Sequence, residues 1–200
     1  DFGGQRLDFI KHINPVGGGK EATGLVTRFS RRATPSQDPQ FPVELTLFKE
    51  IELAKILANS WFKDFDLERI SYEIDEERIQ HVLKPFEGRE TGPLQPGVSA
   101  DDLVSLWDYL RDNFRNSVKK LEHLYWPTAL QLAPRLNFQE RAELFSILWG
   151  EQNELTRVYQ QLAGALHKLG LPETVFAPLK ALVSFENDTY SQRDSIMNVD

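Results

Sequence analysis

From Glu50 onward, apolar residues return every three or four positions, the period of a helix with one buried face. Ile51, Ala54, Ile56, Leu57 and Trp61 share one stripe and predict a helix from Glu50 to about Phe65. "SYEIDEERIQHVLKPF" predicts a second, with Ile74, Ile79, Val82 and Leu83 on its apolar side. Leu103, Leu106, Trp107, Leu110, Phe114, Val118, Leu121 and Tyr125 predict one long amphipathic helix. Pro127 restarts the chain as a first-turn proline, and Pro134 ends the short helix that follows. The next stripe is Phe138, Ala142, Phe145, Leu148 and Trp149, stopped by Gly150. Leu155, Val158, Tyr159, Leu162, Leu166 and Leu169 form another, stopped by Gly170. Pro172 opens a last helix carrying Val175, Phe176, Leu179 and Leu182, with Pro178 limiting its regular part.

A period of two belongs to the N-terminal part. "VELTLF" (43–48) alternates Val43, Leu45 and Leu47 with Glu44 and Thr46, the pattern of a half-buried strand. "GLVTRF" (24–29) is apolar and β-branched, and predicts a strand that pairs antiparallel with it across the proline-containing loop 30–42. "RLDFIKHI" reads as a short helix broken at Asn14-Pro15, and "SIMNV" as a short strand near the end. "EGRETGPLQPGVS" (87–99) holds three glycines and two prolines and reads as a linker. The fold class expected is mainly α: a helical bundle with a small α/β N-terminal part carrying a two-stranded β unit. The expected organisation is a small α/β part over 1–86, the linker 87–99, a helical bundle over 100–183, and a loop-like extension over 184–200.

Two helix starts are written in cap chemistry. Ser99 with Asp102, and Asn137 with Glu140, have the spacing at which each side chain satisfies the other residue's free amide. Core positions follow from the stripes, with Leu110 and Phe145 each in the middle of one. Trp107, Trp126 and Trp149 read as core, with an aromatic anchor for a partner at "LYWP" (124–127) as the lesser alternative.

Composition changes this picture little. At 200 residues the chain is long enough to bury a core without a covalent staple, and it has no cysteine to make one. The absence of cysteine also removes thiolate metal sites and a thiol nucleophile. Four histidines (His12, His81, His123, His167) form no H-x-x-H pair, which argues against zinc. The net charge of −7 argues against a general nucleic-acid binder. Residues 1–34 nevertheless hold six bases against three acids, leaving room for a local anion there. No apolar run has the ~18 residues of a membrane span. A first residue of Asp rather than Met is what a fragment of a longer protein would show.

"NPVGGGKEATGLVTRF" invites a test for phosphate binding. With Lys20 placed on the lysine of a G-x-x-x-x-G-K-[ST] loop, the first glycine position is Asn14 and the hydroxyl position is Glu21. Both residues are wrong for the chemistry, and a carboxylate beside a phosphate repels it. The glycines read instead as a turn. The acids Asp64, Asp66, Glu68, Glu73, Asp75, Glu76 and Glu77 read as a solvated face, because a catalytic pair needs burial. His123 and His167 read as structural or exposed.

The segment "TGLVTRF", a loop, then "PVELTLF" resembles the switch I region and following strand of dynamin-like GTPases. That resemblance implies that Thr27 helps hold magnesium and position the attacking water, a role suited to a hydroxyl because hard cations take oxygen ligands. "SIMNVD" resembles the strand that ends in a magnesium-linked aspartate, which would be Asp200. More widely, "INPVGGGKEATGLVTRF", "FPVELTLFKEIELAKILANSWF", "YWPTALQLAPRL", "RAELFSILWG" and "VFAPLKALV" resemble the SrfC-like family of bacterial virulence factors. This implies an internal piece of a longer virulence protein, in the bacterial cytoplasm or delivered to a host cell. Two functions follow as expectations. One is a helical protein-interaction module whose partner is another protein or the remainder of the parent chain. The other is part of a GTP hydrolase, with GTP and magnesium bound only by the parent and the fragment alone inactive.

Overall fold

A computed structural model describes residues 38–65, 70–181, 183–186 and 189–192. The chain is mainly α, with seven α-helices among the described residues: α1 Glu50–Asp64, α2 Glu76–Leu83, α3 Ala100–Val118, α4 Leu121–Leu124, α5 Trp126–Leu132, α6 Phe138–Phe145 and α7 Asn153–Lys168. The strands are β1 Val43–Thr46, β2 Thr174–Ala177, β3 Val183–Glu186 and β4 Thr189–Gln192. Two compact units divide the chain: Phe48–Glu173 holds all the described α-helices, and the other holds β1 to β4.

In the strand-bearing unit, β1 has the expected alternation, with Val43 buried and Glu44 and Thr46 exposed. Its partner among the described residues comes from far along the chain. β1 pairs antiparallel with β2, Val43 opposite Ala177 and Thr46 opposite Thr174. The expected strand 24–29 lies outside the described residues, as does the expected strand at "SIMNV". β2 also replaces the start of the helix expected after Pro172. Pro178 disfavours a helical Ala177 and offers no amide of its own, so too few residues remain for a helix. Thr174, Val175 and Phe176 suit a strand instead. A 3-10 turn follows at Leu179–Ala181. Part of the expected loop 184–200 is a second antiparallel pair, β3 with β4, Val183 opposite Gln192.

The helical unit is built around α1, which packs on α3, α7 and the 3-10 turn Ser146–Trp149. Its core includes Trp61, Leu103, Leu106, Leu110, Tyr125, Phe145, Trp149 and Tyr159. Leu110 and Phe145 are fully buried, as their stripes predict. Trp126 and Trp149 are buried, while Trp107 is half-buried and stacks on Trp126 with ring centroids 4.8 Å apart. Both capping boxes form. The Ser99 amide donates to Asp102 Oδ2 at 2.9 Å, and the Asn137 amide donates to Glu140 Oε2 at 2.9 Å.

Three expectations change here. The long helix ends at Val118, with non-helical Phe114 (φ −135°, ψ 32°) inside it. Leu121 and Tyr125 still reach the core, but from α4 and the turn before α5. The 87–99 stretch is not a free linker but lies within the helical unit. Val98 is buried, and the Gln95 amide donates to Pro134 O at 2.8 Å. The stripe on α7 is rotated. Thr156, Tyr159 and Ala163 face the core, Leu155 and Leu166 are half-buried, and Val158, Leu162 and Leu169 are exposed.

Candidate functional site

Thr27 and Asp200, the residues the GTPase resemblance singles out, lie outside the described residues. Of the acidic run, Asp66 and Glu68 also lie outside them. Asp75 caps α2, accepting the Arg78 amide at 2.8 Å, and Glu73 pairs with Lys120 at 2.6 Å. No metal-binding cluster of histidine or carboxylate residues occurs among the described residues.

The densest polar chemistry sits on Glu50, the first residue of α1, which is almost wholly buried. Its Oε2 accepts from Arg141 Nη1 and from His167 Nε2, each at 2.7 Å. Its Oε1 accepts the Tyr159 hydroxyl at 2.8 Å. Arg141, on α6, is equally buried and makes two further bonds to backbone. Nε donates to Leu136 O at 2.9 Å, and Nη2 to Pro96 O at 2.6 Å. His167, near the end of α7, is the one member with solvent contact, its side chain 19% exposed. The Phe138 ring covers it at 5.0 Å between centroids.

Gly97 closes this cluster from the 95–98 loop. Its φ of +111° is a conformation that favours glycine, and a Cβ there would overlap the Glu50 carboxylate. The network therefore ties α1, α6, α7 and the loop before α3 to one carboxylate. Burial, then the nearby Glu50 charge, pushes the Tyr159 hydroxyl well above its usual value, so it stays a proton donor. The carboxylate takes three donors and the arginine makes three hydrogen bonds, all of them within the protein. Chemically this is a lock rather than a base.

A second cluster fixes the turn after α6. Glu151 Oε2 takes the Tyr72 hydroxyl at 3.2 Å and an ion pair from Arg78, whose guanidinium lies over the Tyr72 ring. Gly150 beside it has φ +64°, and a Cβ there would run into the Trp61 ring. Burial, then the Glu151 charge, raises the Tyr72 hydroxyl above its ordinary value.

Outside these locks the unit presents an apolar face. Val158, Leu162 and Leu169 are 38%, 47% and 58% exposed, and Ala165 between them is exposed as well. They recur at helical steps along α7, whose other side packs Tyr159 and Ala163 into the core. No helix among the described residues is long and apolar enough to cross a membrane.

Sequence reasoning missed the Glu50 network. Its one signal was charge on an apolar stripe: Arg141 falls between Phe138 and Phe145 where the helical period calls for a buried residue. The partners of Arg141 are 91 residues away at Glu50 and 45 away at Pro96, a distance that periodicity does not read.

Two polar clusters, a packed aromatic core and an outward apolar helix face characterise a mainly α-helical unit. The chain belongs to the family described as "putative bacterial virulence factor", whose model matches residues 1–200. No curated protein and no solved structure matches it.

Proposed function

We propose that the chain is a helical protein-interaction module of a virulence factor of SrfC-like type. The observation that carries this reading is α7, apolar on two sides. One side is spent on the core. The other leaves Val158, Leu162, Ala165 and Leu169 in water, a contiguous stripe of the kind that docks into an apolar groove on a partner. The Glu50 network supports the same reading, because it clamps α7 at His167 and Tyr159 and so holds the outward face in a fixed orientation.

The test is a photo-crosslinking amino acid placed at Leu162 in the producing bacterium, with Asp101 on α3 as the control position. The expected result is a light-dependent adduct with one protein identified by mass spectrometry. Val158→Glu with Leu169→Glu should abolish it while the melting temperature stays put. Adducts that are the same at both positions, or unaffected by the double substitution, would overturn the reading. Adducts confined to the remainder of the parent chain would make the stripe an internal contact.

A further inference from the structure

On the far half of α3 lies a small open cleft of about 170 Å³. Its wall is the half-buried ring of Trp107, held from behind by the stacked ring of Trp126. Arg111, Arg115 and Lys119 line it together with Asn116, Val118 and Glu122. On a chain whose net charge is −7, this lining sets three cations against the one carboxylate of Glu122, and Arg111 among them stands between Asp108 and Asp112. Arg111 is engaged, bonded to Asp108 at 2.9 Å. Lys120, the neighbour of Lys119, is turned to Glu73. Arg115 and Lys119 have no ion pair within the described residues. One turn before Trp107 on the same helix, Val104 is an exposed apolar side chain, 49% exposed.

We propose that this cleft docks an acidic segment of a partner protein, one that sets carboxylate side chains against Arg115 and Lys119 and an apolar side chain against Trp107 and Val104. Size and charge select this occupant. The volume is below the ~300–1,000 Å³ of sites that enclose a drug-sized ligand, and suits one or two side chains of a peptide laid across the surface. Guanidinium and ammonium groups beside an aromatic face match carboxylates followed by an apolar anchor. A nucleic acid would need a wider basic stripe than this short row. The cleft is a different surface from the α7 stripe, and its occupancy does not depend on that reading.

The cations have a second use, because positive side chains near a helix C-terminus stabilise its carbonyl end whether or not anything binds. The test separates the two. The 200-residue chain is titrated with a fluorescein-labelled peptide of alternating Glu and Leu, and anisotropy is read. A peptide of alternating Lys and Leu, inorganic phosphate, and phosphatidylserine vesicles are run alongside. The expected result is saturable binding of the Glu peptide alone, weakened by salt. Arg115→Gln and Lys119→Gln should each reduce affinity about tenfold, the loss of one charge-assisted hydrogen bond. Glu122→Gln should strengthen binding, because it removes a like charge from the lining. Arg157→Gln on α7 should change nothing. Binding that ignores Arg115, Lys119 and Glu122 overturns the proposal, as does equal binding of the Lys peptide. Phosphate or vesicle binding without peptide binding, lost in the same variants, replaces it with an anion or membrane site. No binding to any probe leaves the cations to the helix end and also overturns it.

Discussion

A single carboxylate organises the middle of the helical unit. Glu50 and Arg141 are each wholly buried at the side chain, which is tolerable only because they pair with each other and each makes further hydrogen bonds. Removing one partner leaves the other charged and dry. Arg141→Met should therefore destabilise the protein by about 3–5 kcal/mol, while Glu50→Leu added to it should cost far less than the sum of the single changes. Urea denaturation of the two single variants, the double variant and the parent measures that coupling. Additive losses would mean that the pair does not act as a unit.

Among the elements, α6 shows how a local cap is tied to distant chain. Glu140 accepts the Asn137 amide and also takes two bonds from the Arg89 guanidinium, at 2.9 and 3.3 Å, 51 residues away. The Arg89 hydrogen bond, more than the Asn137 amide, holds the Glu140 carboxyl below its usual value. A carboxyl lowered on folding adds stability above its unfolded pKa, and that contribution is lost as pH falls through the folded value. Glu140→Gln should thus cost stability at neutral pH. The gap to the parent should close as pH falls below the ordinary carboxylate range of ~4. Denaturation midpoints across pH measure this, and a gap that persists in acid would show that the charge is not what matters. At α7 the lesson is different. The helix is where periodicity puts it, but its apolar positions exceed what one buried face takes, so the surplus faces water.

For the whole molecule, the boundary of the helical unit decides what folds alone. Residues 100–183 carry continuous stripes and read as a bundle of their own. Yet α1 supplies Ile51, Leu53, Ala54, Leu57, Ala58 and Trp61 to the same core as α3 and α7. It also carries Glu50, without which Arg141 is buried and unpaired. Residues 48–173 should therefore melt in one cooperative transition, whereas 100–183 should not. Calorimetry on both pieces checks this. A cooperative melt of the shorter piece would make α1 dispensable.

The class was legible in the sequence, because apolar period and cap chemistry are local: Ser99 with Asp102, Asn137 with Glu140, and Leu110 and Phe145 at the centres of their stripes. Family membership agrees with the wider resemblance to bacterial virulence factors, while Thr27 and Asp200 lie outside the described residues. Tertiary structure alone decided which residues of α7 face inward, since two apolar arcs on one helix satisfy the same period. It also decided that Val43–Thr46 pairs with Thr174–Ala177, whose register partners lie between 128 residues (Thr46 with Thr174) and 134 residues (Val43 with Ala177) apart in the chain. Backbone pairing and the choice of donors for a buried carboxylate depend on what the folded chain brings within ~3 Å, and no spacing along the sequence encodes that.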